Sequence, residues 1–171
     1  MLIGIETALA DDPELTVRLP GYKGRHPARV VLDSSQRLPP DCRLARTARE
    51  VPTYVVATTP PIDALVDLGV RVITVPAVGV ERPELKTVVQ ALAREGLSRL
   101  LVEGGGQVAA SFLRCGLVDA IEWFRAPTVI GGEGRPAIGA LAVAALGEAP
   151  KFRRTDVRVL GEDLWERYEK A

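Results

Sequence analysis

Short apolar runs separated by polar, turn-forming stretches set the rhythm of this chain. Arg29-Val-Val-Leu-Asp33, Thr53-Tyr-Val-Val-Ala57, Val70-Arg-Val-Ile-Thr74 and Arg99-Leu-Leu-Val-Glu103 are apolar in their centres and rich in β-branched residues. Continuous rather than alternating runs predict strands covered on both faces, as in a parallel sheet. Between the third and fourth, Leu85, Val88, Val89 and Leu92 recur at helical spacing, behind Pro83 and ahead of Glu95-Gly96, so a helix belongs there. A shorter helix is predicted over residues 61–69 and another over residues 106–116. Strands alternating with helices give an α/β layered fold.

The pattern changes near the end. Ala120-Ile-Glu-Trp-Phe-Arg125 and residues 152–160 have strand patterning, and Gly161-Glu-Asp turns into Leu164-Trp-Glu-Arg-Tyr168. An antiparallel hairpin on the sheet edge is expected, with a short helix as the alternative for the final segment. Gly131-Gly-Glu-Gly-Arg-Pro136 reads as a loop, and residues 19–28, with Pro20, Gly21, Gly24 and Pro27, as a surface loop suited to motion. At the other end an apolar run begins at Met1, an unusual place for a buried strand, and Thr7, Asp11 and Asp12 fit a short polar helix end closed by Pro13.

With 171 residues and 47% hydrophobic content, the chain can bury a core without metal or disulfide support, and residues 1–171 are expected to form a single domain. Lys plus Arg and Asp plus Glu are equal at 22 each, so no overall field favours nucleic acid or anionic lipid, and any bound anion must be captured locally. Cys42, Cys115 and the single histidine, His26, provide no closely spaced zinc ligands, and two thiols are expected rather than a disulfide. No run approaches the roughly 18 apolar residues of a membrane span, and the amino terminus lacks a signal-peptide pattern, so a soluble cytoplasmic protein is expected.

The richest chemistry lies in Leu100-Leu-Val-Glu-Gly-Gly-Gly-Gln-Val-Ala-Ala-Ser-Phe-Leu113, where an apolar run ends in an acid and three glycines and then becomes helical. Glycines let backbone N–H groups approach a ligand that a Cβ would push away, and the first turn of a helix favours an anion. A tight turn without a ligand is the alternative. Glu103 falls where a strand would end, the edge at which α/β sheets bind ligands. Arg18 can grip a phosphate through two oxygens at once or remain a solvated surface residue. Asp33-Ser34-Ser35 with Arg37 offers hydroxyls and a cation suited to the ribose or 2′-phosphate of a dinucleotide, although serine-rich turns are common after strands.

In order, Gly4-Ile-Glu-Thr-Ala-Leu-Ala-Asp-Asp-Pro-Glu-Leu-Thr-Val-Arg18, Arg29-Val-Val-Leu-Asp-Ser34, Leu101-Val-Glu-Gly-Gly105, Phe112-Leu-Arg-Cys-Gly-Leu-Val-Asp119 and Ala126-Pro-Thr-Val-Ile-Gly-Gly132 resemble the pyrimidine reductase domain of bacterial riboflavin biosynthesis. That family is the carboxy-terminal half of a bifunctional deaminase/reductase and has a dihydrofolate reductase-like fold. The resemblance implies a mixed, mostly parallel sheet flanked by helices, and NADPH-dependent reduction of 5-amino-6-(5-phosphoribosylamino)uracil to the ribitylamino product. It implies cofactor contacts from Thr7, Asp11, Ser34, Gly105, Gly106, Gln107, Val108, Ala109, Ala110 and Ser111, and substrate contacts from Leu15, Arg18 and Glu103. No metal and no nucleophilic side chain are implied, and a homodimer is expected, with Trp123, Phe124 and Trp165 as interface or core residues.

The family's usual first strand and helix and its deaminase half have no counterpart here, so an amino-terminally truncated reductase without deaminase activity is expected. Two alternatives follow from that difference. The chain could be a non-catalytic nucleotide-binding or oligomerisation module, or a reductase of the same fold for another pyrimidine or a pteridine.

Overall fold

The computed structural model describes residues 1–79 and 82–171. Its centre is a parallel sheet of β1 (Leu2–Gly4), β2 (Arg29–Leu32), β3 (Thr53–Ala57) and β4 (Arg71–Thr74), in that spatial order. Alternation sorts the side chains onto two faces. Ile3, Val31 and Val55 point into one apolar cluster with Ala8, Leu44, Ala45 and Leu65, from α1 (Ile5–Asp11), α2 (Arg43–Arg46) and α3 (Asp63–Val66). Leu2, Val30 and Val56 point into a second with Val88, Leu92 and Phe112, from α4 (Leu85–Arg94) and α5 (Gly106–Arg114). Helices thus cover both faces, the arrangement that the continuous apolar runs predict.

Two expectations are corrected, and the place of the opening run is explained. The run over residues 99–103 is not a full strand: it meets β1 through one parallel bridge, Leu2 to Val102, with Leu2 N–H donating to Leu101 O at 2.7 Å and Glu103 N–H to Leu2 O at 2.9 Å. Its other side has no strand partner among the described residues, and Leu101 is 56% exposed. The opening run, unusual as it looked, is the fully buried β1, and α1 follows it directly. The carboxy-terminal hairpin of β8 (Phe152–Leu160) and β9 (Asp163–Lys170) is not joined to the parallel sheet. It pairs with β7 (Ala120–Arg125) in a separate antiparallel sheet of order β7-β9-β8. The final segment is therefore a strand, not a helix.

A two-residue ladder, β5 (Ala77–Val78) with β6 (Arg82–Pro83), precedes α4. Cys42 and Cys115 are both free, as expected. Burial pushes the Cys42 thiol pKa up, and its Sγ accepts from Ala45 N–H at 3.5 Å to cap α2. No helix is long and apolar enough to cross a membrane, and no group of metal-ligating side chains occurs among the described residues.

Candidate functional site

Two strand-to-helix junctions meet at the carboxyl edge of the parallel sheet. β1 ends at Gly4, and a Cβ there would lie 2.8 Å from Val108 Cγ2, so only glycine lets α5 pack against the end of β1. Gly104 and Gly105 have φ of 82° and 80°, the left-handed region open to glycine at little cost. Cβ atoms on them would approach Thr7 to 3.1 Å and 3.2 Å. Gly106 is held from behind: its carbonyl accepts from Gly139 N–H at 2.8 Å, and a Cβ would come within 2.4 Å of Pro136 O.

The backbone N–H groups of residues 104–108 have no protein acceptor among the described residues. Gly105, the N-cap of α5, has no side chain to satisfy them. Free amides at the start of a helix form a site for an anion, and in this cradle of amides glycine at 104 and 105 lets Thr7 pack closely, where a Cβ would crowd its side chain. The groups present therefore fit the diphosphate of a dinucleotide.

Thr7 and Asp11 are four residues apart on α1 and share the face that meets this cradle. Glu103, exposed, sits immediately before it, its peptide fixed on β1. One strand over, Asp33 is buried and its Oδ2 accepts from Leu38 N–H at 2.8 Å, which closes the turn carrying Ser34; Oδ1 has no partner. Arg37 ion-pairs with Glu6 of α1, and that hydrogen bond holds the guanidinium pKa above its ordinary value. Parallel pairing of Gly4 with Leu32 sets the Ser34 turn beside the start of α1. Gly104 and Ser34 are thus separated by about two strand spacings, on the order of 10 Å.

Not every predicted position is brought to this edge. Ala110 is fully buried, and the Ser111 hydroxyl donates back to Gln107 O at 2.8 Å, so the cofactor contacts expected from 105–111 narrow to the first turn. Leu15 and Arg18 lie past the far end of α1, about 10 Å along its axis from Ile5. Leu15 packs on the first apolar cluster, and Arg18 is exposed without an ion pair among the described residues.

Sequence reasoning missed Gly4, the Glu6–Arg37 pair, the support of Gly106 by residues 136–139, and Arg29. A glycine closing an apolar run was a usable sign for Gly4. Arg29 is 1% exposed and its guanidinium donates to Thr53 Oγ1, Thr47 Oγ1 and the carbonyls of Glu14, Leu44 and Val51, all neutral oxygens. Burial lowers its pKa.

Residues 1–165 match the RibD C-terminal domain family. The riboflavin biosynthesis protein RibD of Actinobacillus pleuropneumoniae is 32% identical over 168 residues, taking in 96% of this chain and 44% of that protein. A 2,5-diamino-6-ribosylamino-4(3H)-pyrimidinone 5′-phosphate reductase of Methanothermobacter thermautotrophicus is 35% identical over 167 residues, 96% of this chain and 76% of its own length. Among solved structures, Acinetobacter baumannii RibD superposes with a TM-score of 0.84 at 29% identity, covering 99% of this chain and 46% of that one. The chain spans about half the length of the RibD proteins it matches. The dihydrofolate reductase-like α/β fold expected from the sequence is borne out.

Proposed function

Because the chain belongs to the RibD C-terminal domain family, we propose that it is an NADPH-dependent reductase of 5-amino-6-(5-phosphoribosylamino)uracil, yielding the ribitylamino product in riboflavin biosynthesis. The observation that carries this reading is the row of unpartnered amides at residues 104–108 against Thr7. In it, residues 105–108, Thr7 and Asp11 hold the coenzyme diphosphate and its neighbourhood, and Ser34 lies toward the adenosine phosphate. Glu103 and Arg18 stand at opposite ends of α1, a separation suited to a substrate with a polar ring at one end and a phosphate at the other, with Leu15 at the Arg18 end.

When bound, the reduced nicotinamide would supply a hydride to C1 of the ribosyl group in its ring-opened imine form, the C1=N π pair passing to the nitrogen, which takes up a proton. The chain's own residues bind and orient. Glu103 anchors the polar ring or hydroxyls by charge-assisted hydrogen bonds, and Arg18 pairs with the phosphate through its planar fork. Alignment of the reacting carbons, rather than a nucleophilic side chain, is the source of rate. The enzyme works in the cytoplasm as a homodimer, a state supported by exposed Val157 and Val159, which share one face of the antiparallel sheet.

Fluorescence titration with NADPH, followed by turnover with the phosphorylated pyrimidine, tests the proposal. Saturable binding and oxidation are expected. Glu103→Gln should lower turnover with coenzyme affinity nearly intact, and equal loss of both would make Glu103 structural. Binding without oxidation would favour a non-catalytic module, and oxidation with a pteridine alone a different substrate class. A second substrate is favoured by the name of the Methanothermobacter relative: the 2,5-diamino pyrimidinone carries the same phosphoribosylamino group, so both pyrimidines belong in the assay.

A further inference from the structure

Residues 19–28 read as a loose surface loop, yet the structure closes them on themselves. Tyr22 N–H donates to Leu19 O at 3.1 Å and its hydroxyl to Arg25 O at 2.8 Å. The Tyr22 ring covers Gly24, where a Cβ would come within 2.6 Å of the phenolic oxygen, and lies 5.7 Å from the His26 ring, tilted by 40°. His26 precedes Pro27, which biases it toward extended backbone. From there its Nδ1 accepts the N–H of Val17 at 3.2 Å. The donor fixes the tautomer: Nδ1 carries the lone pair and Nε2 the proton.

Val17 is the residue immediately before Arg18, and the same short stretch is pinned from its other end, where buried Arg29 donates to Glu14 O at 3.2 Å. Between the two pins Leu15 has φ of 51°. A bulky side chain in that left-handed region is strained and persists only where its surroundings enforce it. Arg29 and the packing of Leu15 on the first apolar cluster supply that enforcement. The stretch from Glu14 to Val17 that leads into Arg18 is therefore held at both of its ends, while the Arg18 side chain has no protein partner among the described residues.

We propose that His26 is a positioning residue for phosphate capture: its Nδ1 lone pair holds Val17 and thereby aims Arg18. This rests on the reading of Arg18 as the substrate-phosphate ligand. Loss of one neutral hydrogen bond at this point should cost about a factor of ten in substrate affinity.

The test compares the full chain with His26→Phe, which keeps a ring against Tyr22 without the lone pair, and His26→Asn, whose carbonyl oxygen can accept from Val17. The dissociation constant of the phosphorylated pyrimidine is measured by calorimetry, that of NADPH by fluorescence, and kcat and KM by turnover. For His26→Phe a roughly tenfold weaker substrate affinity is expected, with kcat and the NADPH constant within about twofold; His26→Asn should recover most of the loss. In an Arg18→Gln background His26→Phe should add nothing, since its effect passes through Arg18.

Unchanged substrate affinity in His26→Phe, failure of His26→Asn to rescue, equal weakening of NADPH, or additivity with Arg18→Gln would each overturn the inference. If Arg18→Gln leaves substrate affinity unmoved, or the wild-type chain does not bind the substrate, the phosphate reading itself falls and takes this inference with it. A loss with Arg18→Gln and none with His26→Phe overturns the inference alone.

Discussion

In the parallel sheet Leu2, Ile3, Val31, Val55 and Val56 are all fully buried, whereas in the antiparallel sheet the one buried residue is a carboxylate, Glu166, at 3% exposure. Two helical layers cover the first sheet; the second leaves Phe124 and Val159 in the open, the latter 75% exposed. The strand register puts Phe124 with Trp165 on one face of that sheet and Val157 and Val159 on the other, the face of Glu166, and exposed apolar positions gathered on one face mark a contact surface. The parallel half therefore carries its own core, and the antiparallel half holds itself together with charges while its apolar side chains await cover.

The largest test of that contrast is Arg29→Met. Six hydrogen bonds disappear, and the buried carbonyls of Leu44 and Val51 are left to share the one proton of the Thr53 hydroxyl. Leaving buried acceptors unpaired should cost about 3 kcal/mol, read as a lower urea midpoint by circular dichroism. Arg154→Met makes the same chemical change on the antiparallel sheet, where the side chain is exposed and Glu166 keeps Arg125 as a partner at 2.8 Å. Its midpoint should fall by less, because Glu166 keeps Arg125 and the Tyr168 hydroxyl. Equal losses in the two variants would break the comparison.

A smaller effect on folding, but a sharper one on assembly, is expected from Val159→Lys. If a second copy covers the antiparallel sheet, a charge at this position opposes the contact, and sedimentation should show the dimer giving way to monomer. The monomer's own stability should stay within about 0.5 kcal/mol, as for ordinary surface changes. An unchanged mass would leave Val159 facing solvent in the assembled protein.

The same contrast explains what the sequence disclosed. Burial on both faces writes continuous apolar runs, so β3 is legible to the residue, and the helical spacing of Leu85, Val88 and Leu92 marks α4. Residues 99–103 carry the same kind of run and form only a bridge, because a run records apolarity and not the neighbour that a ladder needs. β1 is only three residues long, too short for its pattern to stand out. α2 is four residues long and capped by a thiol, outside the usual Ser, Thr, Asp and Asn caps. At the candidate site, Thr7, Glu103 and the glycines could be picked out because their chemistry is local. The support of Gly106 by Gly139 and the reach of Arg29 to Glu14 join segments distant in sequence, and such contacts leave no periodic trace.

The smallest expected effect separates the two halves by pH. Glu166 accepts from Arg154 at 3.0 Å and from the Tyr168 hydroxyl at 3.0 Å and pairs with Arg125; the Arg154 hydrogen bond foremost, then Tyr168 and Arg125, hold its carboxyl pKa below the ordinary value. A folded-state pKa lower than the unfolded one stabilises the fold at pH above the unfolded value, about 4.3 for glutamate, and that contribution disappears as pH falls through the lower folded value. Arg29 is bound by neutral oxygens, so acid leaves its hydrogen bonds intact. Amide exchange followed below about pH 4.3 should therefore show protection lost from β7, β8 and β9 before β2 and β3. In Glu166→Gln the antiparallel sheet should begin less protected and respond less to acid. Equal acid sensitivity in both sheets would mean that the charge pairs at Glu166 are not what holds the second one together.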